Sequence, residues 1–145
     1  MGVDMSRVPS NPKLQFFWLH SQPEGNPFYS KQKSGKWCLC FTAEEVDEAW
    51  ARIDALVAAG KVRAAIASTL WGSQQRGFDT LVICVFTEDW EDRDEVRRVR
   101  QLLLDEGFTT SMGYKRDIDT VQQVPGQPEF IYTDADILGT SGSQP

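Results

Sequence analysis

The sequence predicts an α+β domain: a single curved, mainly antiparallel sheet with two helices packed on one face. Three observations predict it. The chain has 145 residues, 41% of them hydrophobic, which is one domain's length with material for its own core. Two stretches repeat apolar residues at helical spacing between recognisable start and stop signals. Six short stretches have strand character, and the order reads β-β-α-β-β-α-β-β. The domain is expected over 13–138, between flexible tails at 1–12 and 139–145.

Lys13–His20 (KLQFFWLH) reads as a first strand. Ser21–Gly35 holds Pro23, Gly25, Pro27 and Gly35 with Lys31 and Lys33 between them, a long loop of the kind that often carries function. Lys36–Phe41 alternates, with Trp37, Leu39 and Phe41 on one face and Lys36, Cys38 and Cys40 on the other. Thr42 and Glu45 have capping-box spacing, so a helix is expected from Ala43 to about residue 58, with Val46, Trp50 and Ile53 on its apolar stripe. Gly60 is its stop. Val62–Leu70 reads as an Ala-rich strand and Trp71–Asp79 as a loop. Thr80–Thr87 (TLVICVFT) is the most apolar strand. A second helix is expected over 92–106 on Val96, Val99, Leu102 and Leu103, its Arg93, Arg97, Arg98 and Arg100 forming a solvated face. Thr109–Lys115 and Glu129–Thr133 complete the strands.

The net charge of −6 is unevenly spread: residues 1–116 net −1, while 117–145 carry five carboxylates and no base. Such a chain is a poor candidate for duplex nucleic acid, whose binding depends on neutralising phosphates. A small basic pocket for one or two phosphates remains compatible with it. No apolar run reaches membrane-spanning length and no secretory leader is visible, so no membrane partner is expected. Three cysteines, Cys38, Cys40 and Cys84, suit a reduced, cytoplasmic setting. Cys38 and Cys40 have C-x-C spacing, but a single histidine and no second pair leave a tetrahedral metal site incomplete, so no metal or cofactor is expected.

Two stretches go further. Val82–Val96 (VICVFTEDWEDRDEV) and Tyr114–Thr120 (YKRDIDT) resemble the basophilic-leukaemia-expressed protein family, as do Gly35-Lys-Trp37, Val46-Asp-Glu-Ala-Trp50 and Gly60-Lys61. The resemblance covers roughly residues 13–120. It implies a fold like that of the cap-binding translation initiation factor 4E, and bacterial members of the family carry the label of phosphothreonine lyase domains. The initiation-factor likeness implies aromatic residues that stack a base. Among the five tryptophans, Trp37 and Trp50 fall on apolar faces, while Trp71 and Trp90 sit near loops and are the stacking candidates.

The lyase likeness implies a lysine base, a histidine acid and cations on the phosphate. The family's Lys-x-His corresponds here to Lys36-Trp37-Cys38, so a cysteine stands at the acid position. Ile66 stands at the base position. Lys36, His20 and Lys61 are the remaining catalytic candidates, and none completes the pattern. What the resemblance leaves is phosphate binding, through Lys36, Arg63, Tyr114, Lys115 and Arg116, with Lys115 joining Lys36 and Arg116 closing the rim. The expectation is thus a cytoplasmic, non-catalytic domain for a phosphorylated ligand, whether small molecule, nucleotide or phosphopeptide. The alternatives are a phosphothreonine-lyase-like enzyme and a protein-interaction module acting through its acidic tail.

Overall fold

The computed structural model describes residues 7–110, 112–118 and 130–138. The expected tail 139–145, residues 1–6, Asp119 and Glu129 lie outside the described residues. Among the described residues, six strands hydrogen-bond in the order β1-β3-β4-β2-β5-β6. They are β1 (Trp18–Ser21), β2 (Gly35–Phe41), β3 (Ala64–Ser68), β4 (Leu81–Thr87), β5 (Gly113–Arg116) and β6 (Tyr132–Thr133). β1 on β3, β2 on β5 and β5 on β6 pair antiparallel, which places the chain in the α+β class. The chain divides into two compact units, residues 1–28 with 39–85 and residues 29–38 with 86–145.

In the first unit, α1 (Val46–Ala58) buries Val46, Ala49, Trp50, Ile53, Leu56 and Val57, the stripe that its spacing predicts. It starts three residues later than expected because only half of the capping box forms. The Glu45 carboxylate accepts the Thr42 N–H at 3.2 Å, and no side chain caps the first turn. The helix stops where expected: Gly60 has φ +74°, and the Lys61 and Gly60 N–H groups close a Schellman turn onto Leu56 and Val57.

Two expectations for this unit need correction. Trp71–Asp79 is not a plain loop, since α2 spans Leu70–Gln75. The Thr69 hydroxyl caps it by accepting the Gly72 N–H at 2.9 Å and donates to the Phe16 carbonyl. Gly72 is needed for close approach, because a Cβ there would lie 2.7 Å from the Phe17 carbonyl oxygen. The segment expected as an N-terminal tail is also folded in part: Val8 is buried, Pro9 accepts the Leu70 N–H, and Ser10 binds Asp47.

In the second unit, α3 (Arg93–Asp105) is capped by Asp92, whose carboxylate accepts the Glu95 N–H, and buries Val96, Val99, Arg100 and Leu103. Arg100 is therefore no member of a solvated face. It sits one residue past Val99 and four past Val96, on the apolar stripe itself. There it is 1% exposed, bonded to Asp134 through Nε at 2.6 Å and Nη2 at 3.1 Å, and to the carbonyls of Phe108 and Thr110. Asp134 opens a short helix, α4 (Asp134–Leu138).

Candidate functional site

β2 and β5 bring two of the family-like motifs together. Their register sets Gly35 against Arg116, Lys36 against Lys115, Trp37 against Tyr114 and Cys38 against Gly113. Directly opposed residues of an antiparallel pair project from the same face, so Lys36 and Lys115 share one face, and Trp37, Tyr114, Gly35 and Arg116 share the other. Like charges directly opposed are unfavourable. Asp117, 2% exposed, compensates one of them: its Oδ1 lies 2.5 Å from the Lys36 ammonium, itself 9% exposed. The second carboxylate oxygen accepts the Ser34 hydroxyl at 2.5 Å, and the Asp117 N–H donates to the Ser34 carbonyl at 2.9 Å. Ser34 in turn accepts the Lys31 N–H. The Lys36 ammonium also lies 5.7 Å from the centre of the Phe86 ring. Lys115 is half-buried.

On the opposite face the contacts are aromatic. Trp37 and Tyr114 meet edge to face at 5.4 Å, and the Trp37 indole N–H donates to the Val96 carbonyl on α3. The Tyr114 hydroxyl pairs with the Thr87 hydroxyl at 2.5 Å. Burial pushes the Tyr114 phenol well above its ordinary value, the Thr87 hydrogen bond opposing the shift. A Cβ on Gly35 would lie 2.3 Å from the Tyr114 hydroxyl, so only glycine lets that ring cover the strand. Arg116 ends β5 on this face and lies over the Trp90 ring at 4.9 Å, a cation–π contact. Arg116 is thus within the strand and faces away from Lys115, which corrects the expectation that it closes the rim around Lys36 and Lys115. The Trp90 N–H donates to the Lys33 carbonyl at 2.8 Å.

The structure therefore gathers Lys36, Tyr114, Lys115, Arg116 and Trp90 in the second unit. Arg63 and Trp71 belong to the first. Arg63 donates to Asn26 and to the Pro27 carbonyl and lies 5.5 Å from the Phe28 ring centre. Trp71, on α2, packs against Phe17 at 5.1 Å. His20 is exposed on β1 opposite Ile66, and Lys61 is exposed on the turn after α1. Cys38 is half-buried, Cys40 exposed and Cys84 buried, all three as reduced thiols. Among the described residues no three His, Cys, Asp or Glu side chains gather as a metal site, and no helix is long and apolar enough to cross a membrane.

Sequence reasoning missed Ser34 and Asp117. Asp117 stood in the quoted Tyr-Lys-Arg-Asp run, but its charge was assigned to the acidic C-terminal segment. Its position immediately after a strand whose lysine opposes another lysine was the available signal. A search of curated proteins returned no match to this sequence. A family model described as basophilic leukemia-expressed protein Bles03 matches residues 30–120, a stretch that runs from the loop before β2 through β5 and Asp117. The chain belongs to the basophilic leukemia-expressed protein Bles03 family.

Proposed function

We propose that this chain is a cytoplasmic, non-catalytic domain that binds a phosphorylated ligand at the Lys36–Lys115 face of the β2–β5 ladder. The observation that carries the reading is the cross-strand pair itself. Two lysines directly opposed work against pairing, and Asp117 compensates Lys36 alone. A phosphate set beside Lys115 would turn the unfavourable pair into charge-assisted hydrogen bonding. The Arg116–Trp90 stack offers a flat cationic and aromatic edge to a ligand that continues past the strand end. A nucleotide and a phospho-residue both fit that chemistry.

Elimination of phosphate from phosphothreonine draws no support from these residues. Cys38 and Ile66 stand where acid and base belong, and the Lys36 ammonium is already bonded to Asp117. Action through an acidic tail loses ground as well, since Asp117, Asp134 and Asp136 bind Lys36, Arg100 and Thr133.

Calorimetric titration with inorganic pyrophosphate, a nucleoside monophosphate and a phosphothreonine peptide tests the proposal. At least one should bind saturably, and Lys115→Ala should weaken it about tenfold, the loss of one charge-assisted contact. Lys13→Ala should leave it unchanged. Lys36→Ala is a poorer probe, because it strands Asp117 in the interior. Saturable binding of none of the three, or equal binding by Lys115→Ala, overturns the reading.

A further inference from the structure

The turn that leads into β2 carries two more cations, both held by carboxylates. The Lys31 ammonium pairs with Glu88, and the Lys33 ammonium with Glu91 at 2.6 Å. Each of these four side chains is roughly half exposed. The backbone ties this turn to the proposed site from two sides. Asp117 N–H donates to the Ser34 carbonyl, and Trp90, which lies under Arg116, donates its N–H to the Lys33 carbonyl. Lys31 and Lys33 are thus anchored beside both Asp117 and the Arg116–Trp90 stack. Glu91 holds the Lys33 ammonium above the ordinary lysine value through its hydrogen bond and its charge, so the cation stays charged throughout the physiological range.

We infer that Lys31 and Lys33 belong to the phosphate site, that Glu88 and Glu91 are its built-in competitors, and that the ligand therefore carries two or more linked phosphates. The inference rests on the proposed phosphate reading and adds charge selection to it. Exposed ion pairs between flexible side chains hold weakly and exchange partners readily. A ligand phosphate that takes both lysines must displace two carboxylates, that is, two negative charges. A phosphomonoester brings about −1.5 to −2 at neutral pH, so it gains nothing over the carboxylates it displaces. A diphosphate brings more charge and more acceptor oxygens, and it can reach several cations at once. The carboxylates would then act as a filter: they keep the lysines neutralised against single phosphates and yield to a polyanion.

The test compares inorganic phosphate with inorganic pyrophosphate at fixed ionic strength, by calorimetry, on the full chain. Wild type should bind pyrophosphate at least tenfold more tightly than phosphate. Glu88→Gln/Glu91→Gln should bind phosphate several-fold more tightly than wild type and narrow the preference for pyrophosphate. Adding Lys31→Ala and Lys33→Ala to that variant should remove the gain. A second pair, Glu44→Gln/Glu48→Gln at the start of α1 in the first unit, changes the net charge equally and should leave both affinities as they were. If wild type binds pyrophosphate through Lys115 but Glu88→Gln/Glu91→Gln changes nothing, or if the α1 pair tightens binding as much, the competitor role is wrong and the phosphate reading stands. If neither wild type nor Glu88→Gln/Glu91→Gln binds either anion, both are wrong.

Discussion

In the β1–β3 ladder, the register sets Leu19 against Ala67 and His20 against Ile66, and β3 holds only alanine, isoleucine and serine. In the β2–β5 ladder it sets Lys36 against Lys115 and Trp37 against Tyr114. The first pairing buries Leu19, Ala65 and Ala67 without opposing any charges, and its buried serines are satisfied by neighbours, Ser21 by Asp54 and Ser68 by Ser73 and the Val82 N–H. The second opposes like charges and needs Asp117, Ser34 and Thr87 to satisfy its polar atoms. A ladder built only for stability has no use for two opposed lysines. The proposed anion site rests on that contrast, and so does the expectation of where the chain is most easily broken.

The largest effect should come from Asp117→Ala. It leaves the Lys36 ammonium buried without its carboxylate, which typically costs about 3–5 kcal/mol, measured by urea denaturation. Lys36→Met combined with Asp117→Leu should recover most of that loss, because a buried ion pair is replaceable by packed apolar groups. The equivalent change in the other ladder, His20→Ala, removes an exposed side chain and should stay within about 0.5 kcal/mol. If the two ladders respond alike, the contrast is wrong.

Gly35→Ala comes next. The added methyl meets the Tyr114 ring, and overpacking of this kind costs about 1–3 kcal/mol. Tyr114 also gives the second ladder a pH dependence. Burial favours its neutral form, so the unfolded chain loses the phenolic proton first, near pH 10. The contribution is complete below that value and is lost as pH rises above it. Tyr114→Phe should flatten the alkaline limb of the stability profile, while substitution of the exposed Tyr29 should not. The smallest effect belongs to Lys31→Ala, which breaks an exposed pair worth about 0.2–1 kcal/mol and should vanish at high salt.

Periodicity made the two long helices and most strands legible, because burial on one side imposes a spacing that survives any detail of packing. It failed at α2, where Gly72 reads as a loop residue but serves a close approach to Phe17 that only the folded chain reveals. It misassigned Arg100 for a different reason: the spacing placed the residue on the buried stripe, and its charge argued for solvent. Position decided, since Asp134 and two carbonyls satisfy the guanidinium. At the site, strand alternation anticipated that Lys36 opposes the face of Trp37. The Lys36–Asp117 bond joins residues 81 apart in sequence and depends on the β2–β5 register, which no local pattern specifies.

On the proposed reading, the β2–β5 ladder and the turns beside it receive a phosphorylated ligand. The most direct measurement is an NMR titration of backbone amides with inorganic pyrophosphate at constant ionic strength. Saturable shifts are expected at residues 31–34, 88–91 and 114–117, with half-saturation at about tenfold higher pyrophosphate in Lys115→Ala, and with the amides of β1 and β3 unmoved. Shifts that never saturate, or that centre on β1, α2 and the exposed Phe78, would contradict it.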